Sequence, residues 1–454
     1  MFPVSDHETD QLICFDELYY IGELIIIFAM GKKIVIVTIG SLGDLHPFIA
    51  TAKALEGFGH EPVMAVPKNY VAKVENAGLK AFPVFPGFDD LSREMGISEA
   101  QFAMRLMADI DFMFGKVVLP ALGESARLLD EICNGVDLIF GSPFAFAGDI
   151  IAEKRAIAFA AGVLQPGLIL SAYDPIYSPQ ARVLKLAPQT RMGIGWNQAW
   201  IKLIKFASHA RYGNAINKVR RAHGVPDSRF APFLDPNKVA SIIAMYSEFL
   251  GGVQPDYYPN THITGFPIFD SESGAPESLD DELEAFLQKG PPPLIFTLGS
   301  LAVHAAADFY RTSQKIAADL SQRAILLTGI GTDLTSSDNI LVRSYLPHSQ
   351  IFPQSSAIIH HGGIGTTGQV LRAGKPQLVV PHLGDQWDNG KRIERLGTGL
   401  MLDAKKYTYA NAKDRISQIL EDQAIAEKAS SVGAIVAKEN GAKNAAALIS
   451  SLLE

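Results

Sequence analysis

The chain has 454 residues, room for two large domains or about three ordinary ones. Its 40 Lys+Arg against 48 Asp+Glu leave a net charge of -8, which argues against a broad nucleic-acid surface. Hydrophobic residues at 48% and charged residues at 19% exclude a disordered chain. The only cysteines, Cys14 and Cys133, exclude a disulfide scaffold and a Cys-rich metal site.

The first segment is acidic, with Asp6, Glu8, Asp10, Asp16, Glu17 and Glu23 ahead of the apolar run LIIIFAM (24–30). That run is too short for a membrane helix, which needs about 20 residues. A secretory signal wants a basic start and a small-residue cleavage site, and this segment has neither. Met30-Gly31-Lys32-Lys33 before a strand reads as a natural start. Residues 1–30 are therefore expected to be an extension, disordered or mis-started, without a functional role. Reduced thiols and a cytoplasmic location are expected.

From Lys33 short β-branched runs alternate with helical stretches. IVIVTI (34–39), EPVMAV (61–66), LKAFPV (79–84) and VDLIFG (136–141) read as buried parallel strands. A helix is expected to begin near Pro47, and longer helical stretches cover 97–131 and 195–223. ASIIAMY (240–246) is a further strand. TGFPIFDSESGAPESLDDE (264–282), rich in Gly, Pro, Ser and acid, reads as the linker. Beyond it come the strands PLIFTLGS (293–300), AILLTG (324–329), ILVRSY (340–345), SAIIHH (356–361) and PQLVVP (376–381). The last thirty residues are Ala-rich and helical.

Two alternating halves imply an α/β chain of two Rossmann-like, doubly wound domains with a cleft between them. The expected boundaries are 31–264 for the first domain, 265–282 for the linker and 283–425 for the second domain. A C-terminal helix, 426–454, would pack back toward the first domain. Ligands belong at the carboxyl ends of the strands, so the loops GSLGD, TLGS, HHGGIGTT and PHLGDQ carry the interest.

The strongest motif is HHGGIGTTGQVLRAGKPQLVVPHLGDQWDN (360–389). Gly363, Gly365 and Thr366 open a helix, where bare backbone N–H groups and the helix dipole favour an anion; Thr366 and Thr367 add hydroxyls. A diphosphate fits there. The stretch also spells GxGxxG, with Asp385 seventeen residues after Gly368. The two preceding histidines, and the lack of such a pattern after the first strand, speak against nicotinamide. His360 and His361 point to opposite faces of a strand, so they do not form a metal pair; one is expected in the core and the other toward the ligand. Asp109-Ile110-Asp111, the one DxD, lies among helical apolar residues and reads as helix surface rather than a metal site.

The stretch YLPHSQIF…SAIIHHGGIGTTGQVLRAGKPQLVVPHLGDQWDN resembles the nucleotide-sugar-binding region of family 1 glycosyltransferases. These have the GT-B fold and invert the anomeric centre without a metal. Within the family it is most similar to the bacterial branch of sterol, antibiotic and rhamnolipid-type enzymes. GSLGDLHPF (40–48), TGFPIFD (264–270) and LDDELEAFLQKGPPPLIFTLGS (279–300) resemble that branch in the same order.

The resemblance implies roles. Asp44 is the catalytic base, with His46 as the competing candidate; an N-cap is the structural alternative for Asp44. His361, Gly363, Gly365, Thr366 and Ser300 hold the donor diphosphate. Asp385 and Gln386 grip the donor sugar. Tyr345, Leu346 and Gln369 face the base and ribose, although many relatives have Trp near Tyr345 and Glu at position 369. No metal and no cofactor is implied beyond the nucleotide sugar as co-substrate.

The implied activity is transfer of glucose or rhamnose from a UDP or dTDP donor to a hydroxyl of a lipid, sterol, polyketide or flavonoid. The aromatic segments SPFAFAGD (142–149) and LQPGLILSAYDPIYSP (164–179) and the helix around Phe102 to Phe114 suit such an acceptor, or ordinary core. Expected partners are that donor and acceptor, with no nucleic acid and no integral span; peripheral membrane contact is compatible with such an acceptor. A sugar-nucleotide epimerase or hydrolase on the same fold, and a non-catalytic sugar-nucleotide sensor, are the competing readings.

Overall fold

The computed structural model describes residues 31–454 apart from 180–181, 189, 229–238, 272, 276–278, 300–306 and 330–331. The expectations for residues 1–30 and for Ser300 lie outside the described residues.

Residues 32–454 carry two all-parallel sheets. The first contains β1 (Lys33–Val37), β2 (Glu61–Pro67), β3 (Lys80–Phe85), β4 (Leu138–Gly141), β5 (Ala158–Val163), β6 (Ser241–Ala244) and β7 (Thr261–Ile263), in spatial order β3-β2-β1-β4-β5-β6-β7. The second contains β8 (Leu294–Thr297), β9 (Ala324–Leu327), β10 (Ile340–Arg343), β11 (Ala357–His360), β12 (Gln377–Val379) and β13 (Gly399–Met401), in order β10-β9-β8-β11-β12-β13. Strand order reverses between β1 and β4 and between β8 and β11, the switch points where open α/β sheets bind ligands.

The central strands are fully buried, as expected of sheets covered on both faces: Ile34, Val35 and Ile36 of β1 and Leu294, Ile295 and Phe296 of β8 are all 0% exposed. β5, β7 and β13 had no clear signal in the sequence. β5 reads AFAAGV because space forbids larger side chains: a Cβ on Gly162 would lie 2.6 Å from Phe140. The long helical stretch at 97–131 is several pieces, Glu99–Ala108, Ile110–Phe112 and Leu119–Ile132, with a π-helical turn at Met113–Val118. Such turns are rare and often mark functional sites.

The Gly/Pro-rich linker is not a loose tether. Phe266 is buried against Gly368, and Asn76 Nδ2 donates to the Ser273 carbonyl at 3.1 Å. Asp270 accepts from Tyr345 Oη at 2.9 Å and from Ser349 N at 2.6 Å. Composition alone reads as flexible, whereas these partners fix the segment to both halves.

Five helices position the site and its surroundings: α1 (Leu42–Gly57), α2 (Arg191–Ala222), α3 (Ile364–Ala373), α4 (Gln386–Leu396) and α5 (Gly441–Ser451). α5 places Ala445, Ala446 and Ile449 in the core cluster of the first sheet, and Ser450 Oγ lies 2.8 Å from His60 Nε2. Among the described residues, no helix is long and apolar enough to cross a membrane.

Candidate active site

A cavity of about 770 Å³ lies between the carboxyl ends of the two sheets. One wall carries the loop after β1, and the opposite wall carries the loops after β8, β11 and β12.

Asp44 belongs to the first wall. α1 starts at Leu42, five residues before Pro47, because Ser41 and Asp44 cap each other. Asp44 is thus the third helical residue and Ser41 the N-cap, rather than Asp44 itself. Asp44 Oδ2 accepts from Ser41 N at 2.7 Å and Ser41 Oγ at 3.0 Å. Only Gly fits at position 40: its φ is +133°, and a Cβ there would overlap the Asp44 carboxylate. Burial raises the Asp44 proton affinity above the ordinary 3.8, and the Ser41 bonds oppose that only in part. Oδ2 is therefore held and Oδ1 is left for a substrate proton.

His46, the competing candidate, also lines the cavity but faces away from Asp44. Two residues along a helix point about 200° apart. The His46 ring packs edge-on against Phe269 at 5.4 Å, and its Nε2 is buried without a partner. Burial pushes its pKa down to about 3, so the ring is neutral. Ser41 is the orienting group.

On the opposite wall, His360 is fully buried and its Nε2 lies 2.9 Å from Gln377 Oε1, whereas His361 lines the cavity. The His361 ring sits between two glycines: a Cβ on Gly299 would lie 2.6 Å from its Cε1, and one on Gly363 would overlap Nε2. His361 Nδ1 is buried without a partner, and burial holds the imidazole well below its ordinary pKa. Gly363 caps α3, whose first amides, at Ile364, Gly365 and Thr366, have no acceptor within the helix; all three residues line the cavity. Thr366 lines the cavity, but Thr367, a further 100° around the helix, is fully buried and contributes no hydroxyl.

Asp385 and Gln386 open α4. The Asp385 pKa is pushed up to about 7, first by burial, against the Asn389 hydrogen bond, and further by the charge on Asp44 across the cleft. Asn389 Nδ2 donates to Asp385 Oδ2 at 2.8 Å. Gln386 Oε1 accepts from the amides of His382 at 2.8 Å and Leu383 at 3.0 Å, which leaves its amide N–H groups for a ligand. Tyr345 and Gln369 line the cavity. Leu346 does not: its side chain packs among Ile351, Phe352 and Val370.

Because its folded pKa is raised, Asp385 contributes stability below 3.8 that is lost as pH rises through about 7. Asp385→Asn is therefore expected to be more stable than the wild type. The margin should widen between those values and reach on the order of 1–2 kcal/mol by about pH 8, discounted from the ~4 kcal/mol of a fully buried shift. Denaturant melts at two pH values check this; a variant no more stable at high pH contradicts it.

Most of the rest of the cavity is apolar, with polar groups such as Gln165, His209, Asn217 and His348 in its lining. Phe85, Phe88, Leu106, Ile110, Met113, Phe114, Phe144, Phe146, Leu168, Leu170 and Ile176 line it, from the segments whose aromatic character suited a hydrophobic acceptor. Met113 and Phe114 come from the π-helical turn. Of the DxD, Asp109 accepts from Phe112 N at 3.0 Å and Asp111 pairs with Arg211 at 3.1 Å on the surface. No group of three metal-ligating side chains occurs among the described residues.

A buried network unread in the sequence joins the two walls. Arg392 of α4 pairs with Asp388 at 2.7 Å and with Asp174 at 2.5 Å, and also donates to the Leu250 carbonyl at 2.8 Å. Asp388 accepts from Tyr177 N at 2.8 Å. The loop carrying Asp174 and Tyr177 is thereby pinned to the helix that presents Asp385.

Residues 325–450 match the family model described as erythromycin biosynthesis protein CIII-like, C-terminal domain. A sterol 3-beta-glucosyltransferase of Glomerella lagenarium is 28% identical over 427 residues, covering 91% of this chain and 28% of that protein. The chain thus spans well under half of the sterol relatives it matches. An O-mycaminosyltylonolide 6-deoxyallosyltransferase of Streptomyces fradiae is 28% identical over 436 residues, covering 92% of this chain and 96% of that one. Among solved structures, the kitacinnamycin glycotransferase superposes with a TM-score of 0.68 at 18% identity, covering 93% of this chain and 100% of that one. Glycosyltransferase VinC in complex with dTDP superposes with a TM-score of 0.63 at 18% identity, covering 93% and 99%. These likenesses bear out a GT-B architecture.

Proposed function

We infer that this chain, a member of the family 1 GT-B glycosyltransferases, moves a sugar from a nucleoside-diphosphate donor to a hydroxyl of a hydrophobic small molecule, with inversion and without a metal. One observation carries the reading. A single cavity opposes a raised-pKa carboxylate, Asp44, to a helix start with His361, and most of the remaining lining is apolar.

The chemistry follows from that placement. The acceptor oxygen attacks the anomeric carbon from the Asp44 side, and its proton passes to Asp44 Oδ1. The bond to the diphosphate breaks toward the other wall, where His361, Thr366 and the first amides of α3 receive the growing charge. Asp385 accepts from donor-sugar hydroxyls and Gln386 donates to them. Tyr345 and Gln369 border the space for base and ribose. Ser300, outside the described residues, keeps its proposed role at the diphosphate by resemblance alone.

The relatives' names favour glucose or a deoxyhexose as the sugar, and a sterol or polyketide as the acceptor class. An epimerase or hydrolase needs no apolar chamber, so the lining disfavours those readings. The test incubates the protein with UDP-glucose or dTDP-rhamnose and a sterol and macrolide panel in EDTA. Mass spectrometry detects the glycoside and proton NMR its anomeric configuration. An inverted glycoside formed in EDTA is the expected product; a retained anomer, or transfer abolished by EDTA, contradicts the reading.

A further inference from the structure

The outer face of α2 is apolar and uncovered. Met192, Trp196, Leu203 and Phe206 are 81%, 47%, 51% and 68% exposed. At 100° per residue they fall within an arc of about 80°, together with Ala199, and extend along about 21 Å of helix. A surface helix normally turns such a stripe inward; here the inward face, with Ile204, Tyr212 and Ile216, lines the cavity instead. Ile110, 65% exposed, also belongs to that lining.

The helix that carries the stripe is basic in sequence, although Arg211, Arg220 and Arg221 toward its C-terminal end pair with Asp111, with Asp149 and Glu153, and with Asp227. No Asp or Glu occurs between Asp174 and Asp227, whereas that interval holds nine Lys and Arg, in a chain of net charge -8. Arg191 and Lys202 flank the stripe on one side, both exposed. On the other side Lys185 lies over the Trp196 ring at 5.6 Å, and Trp196 Nε1 donates to the Val183 carbonyl at 2.7 Å.

We propose that α2 is a membrane-docking helix that lies on an anionic lipid surface, with the acceptor cavity against its other face. The amphipathic pattern and basic flank match helices that lie in the interface plane, with their apolar face about 5–10 Å deep. Each Lys or Arg near an anionic leaflet adds attraction. A second copy fits the stripe less well, because a two-fold contact would press a basic, carboxylate-free helix against itself. The acceptor role of that cavity rests on the transfer reading; docking does not, so its test uses neither donor nor acceptor.

The experiment is flotation of the full chain with phosphatidylcholine vesicles, with and without phosphatidylglycerol, at low and high salt, alongside sedimentation velocity without lipid. The wild type should float with the anionic vesicles and lose most of that binding at high salt. L203E/F206E should cut flotation by about tenfold or more at an unchanged melting temperature. R191E/K202E keeps the apolar stripe and should lose the preference for anionic vesicles, which decides the matter if the first variant fails to fold. The proposal is overturned if the wild type does not float or if the folded L203E/F206E variant floats equally well. It is also overturned if the wild type is a dimer that L203E/F206E splits without any lipid binding.

Discussion

Asp44→Asn should lower transfer by about 10²–10⁴-fold while leaving donor affinity within a few-fold. Asn keeps the side-chain oxygen that accepts from Ser41 N and Oγ, so α1 should start in the same place. What it removes is the basic Oδ1. The donor contacts lie across the cavity on other loops and are untouched. In the wild type the base must be ionised, so the rate should rise with pH through its raised pKa and then level. Burial raises both carboxylates, Asp385 to about 7, and the Asp44 charge raises Asp385 further, so that limb should lie above the ordinary carboxylate range and belong to the pair. Transfer retained within a few-fold would remove Asp44 as base and bring His46 forward. The neutrality of His46 suits a base, but its Nε2 has no hydrogen-bond partner to orient it.

His361→Ala should lower kcat/KM by about 10²–10³-fold, the loss typical of one donor to a developing anion. Two glycines make room for the imidazole against the start of α3, since a Cβ at either would meet the ring. Burial keeps the empty-site ring neutral. A bound diphosphate favours its protonated form, so donor binding should take up a proton and weaken as pH rises. That pH dependence should flatten in His361→Ala, as titration calorimetry in two buffers of different ionisation enthalpy would show. A purely structural role for His361 would lower affinity and leave the pH dependence in place.

Much of this was legible in the sequence. IVIVTI, AILLTG and SAIIHH announce buried parallel strands through β-branched runs, and each strand ends in a loop of small residues. β13, three residues beginning at Gly399, has no such run: a Cβ at 399 would meet the Gln377 backbone, so the position excludes the residues that mark strands. The Ser41–Asp44 pair was readable as a capping box, and it moves the start of α1 ahead of Pro47. The Arg392–Asp174–Asp388 network was not readable, because it joins residues 218 apart through tertiary packing alone. Removing one member of a buried pair of this kind costs about 3–5 kcal/mol, so it constrains the geometry as firmly as the strands do. Leu346 was misplaced for a related reason: adjacency to Tyr345 says nothing about which side chain turns into the core.

The measurement that bears most directly on a metal-free donor site is thermal unfolding with UDP-glucose and with dTDP-rhamnose, in EDTA, for the wild type and His361→Ala. A ligand at about 100 times its Kd stabilises the fold by about 2.7 kcal/mol, several degrees for a chain of this size. The account predicts a shift with at least one nucleotide sugar, undiminished by EDTA and largely lost in His361→Ala. No shift with either donor, a shift that EDTA removes, or an equal shift in the variant would contradict it.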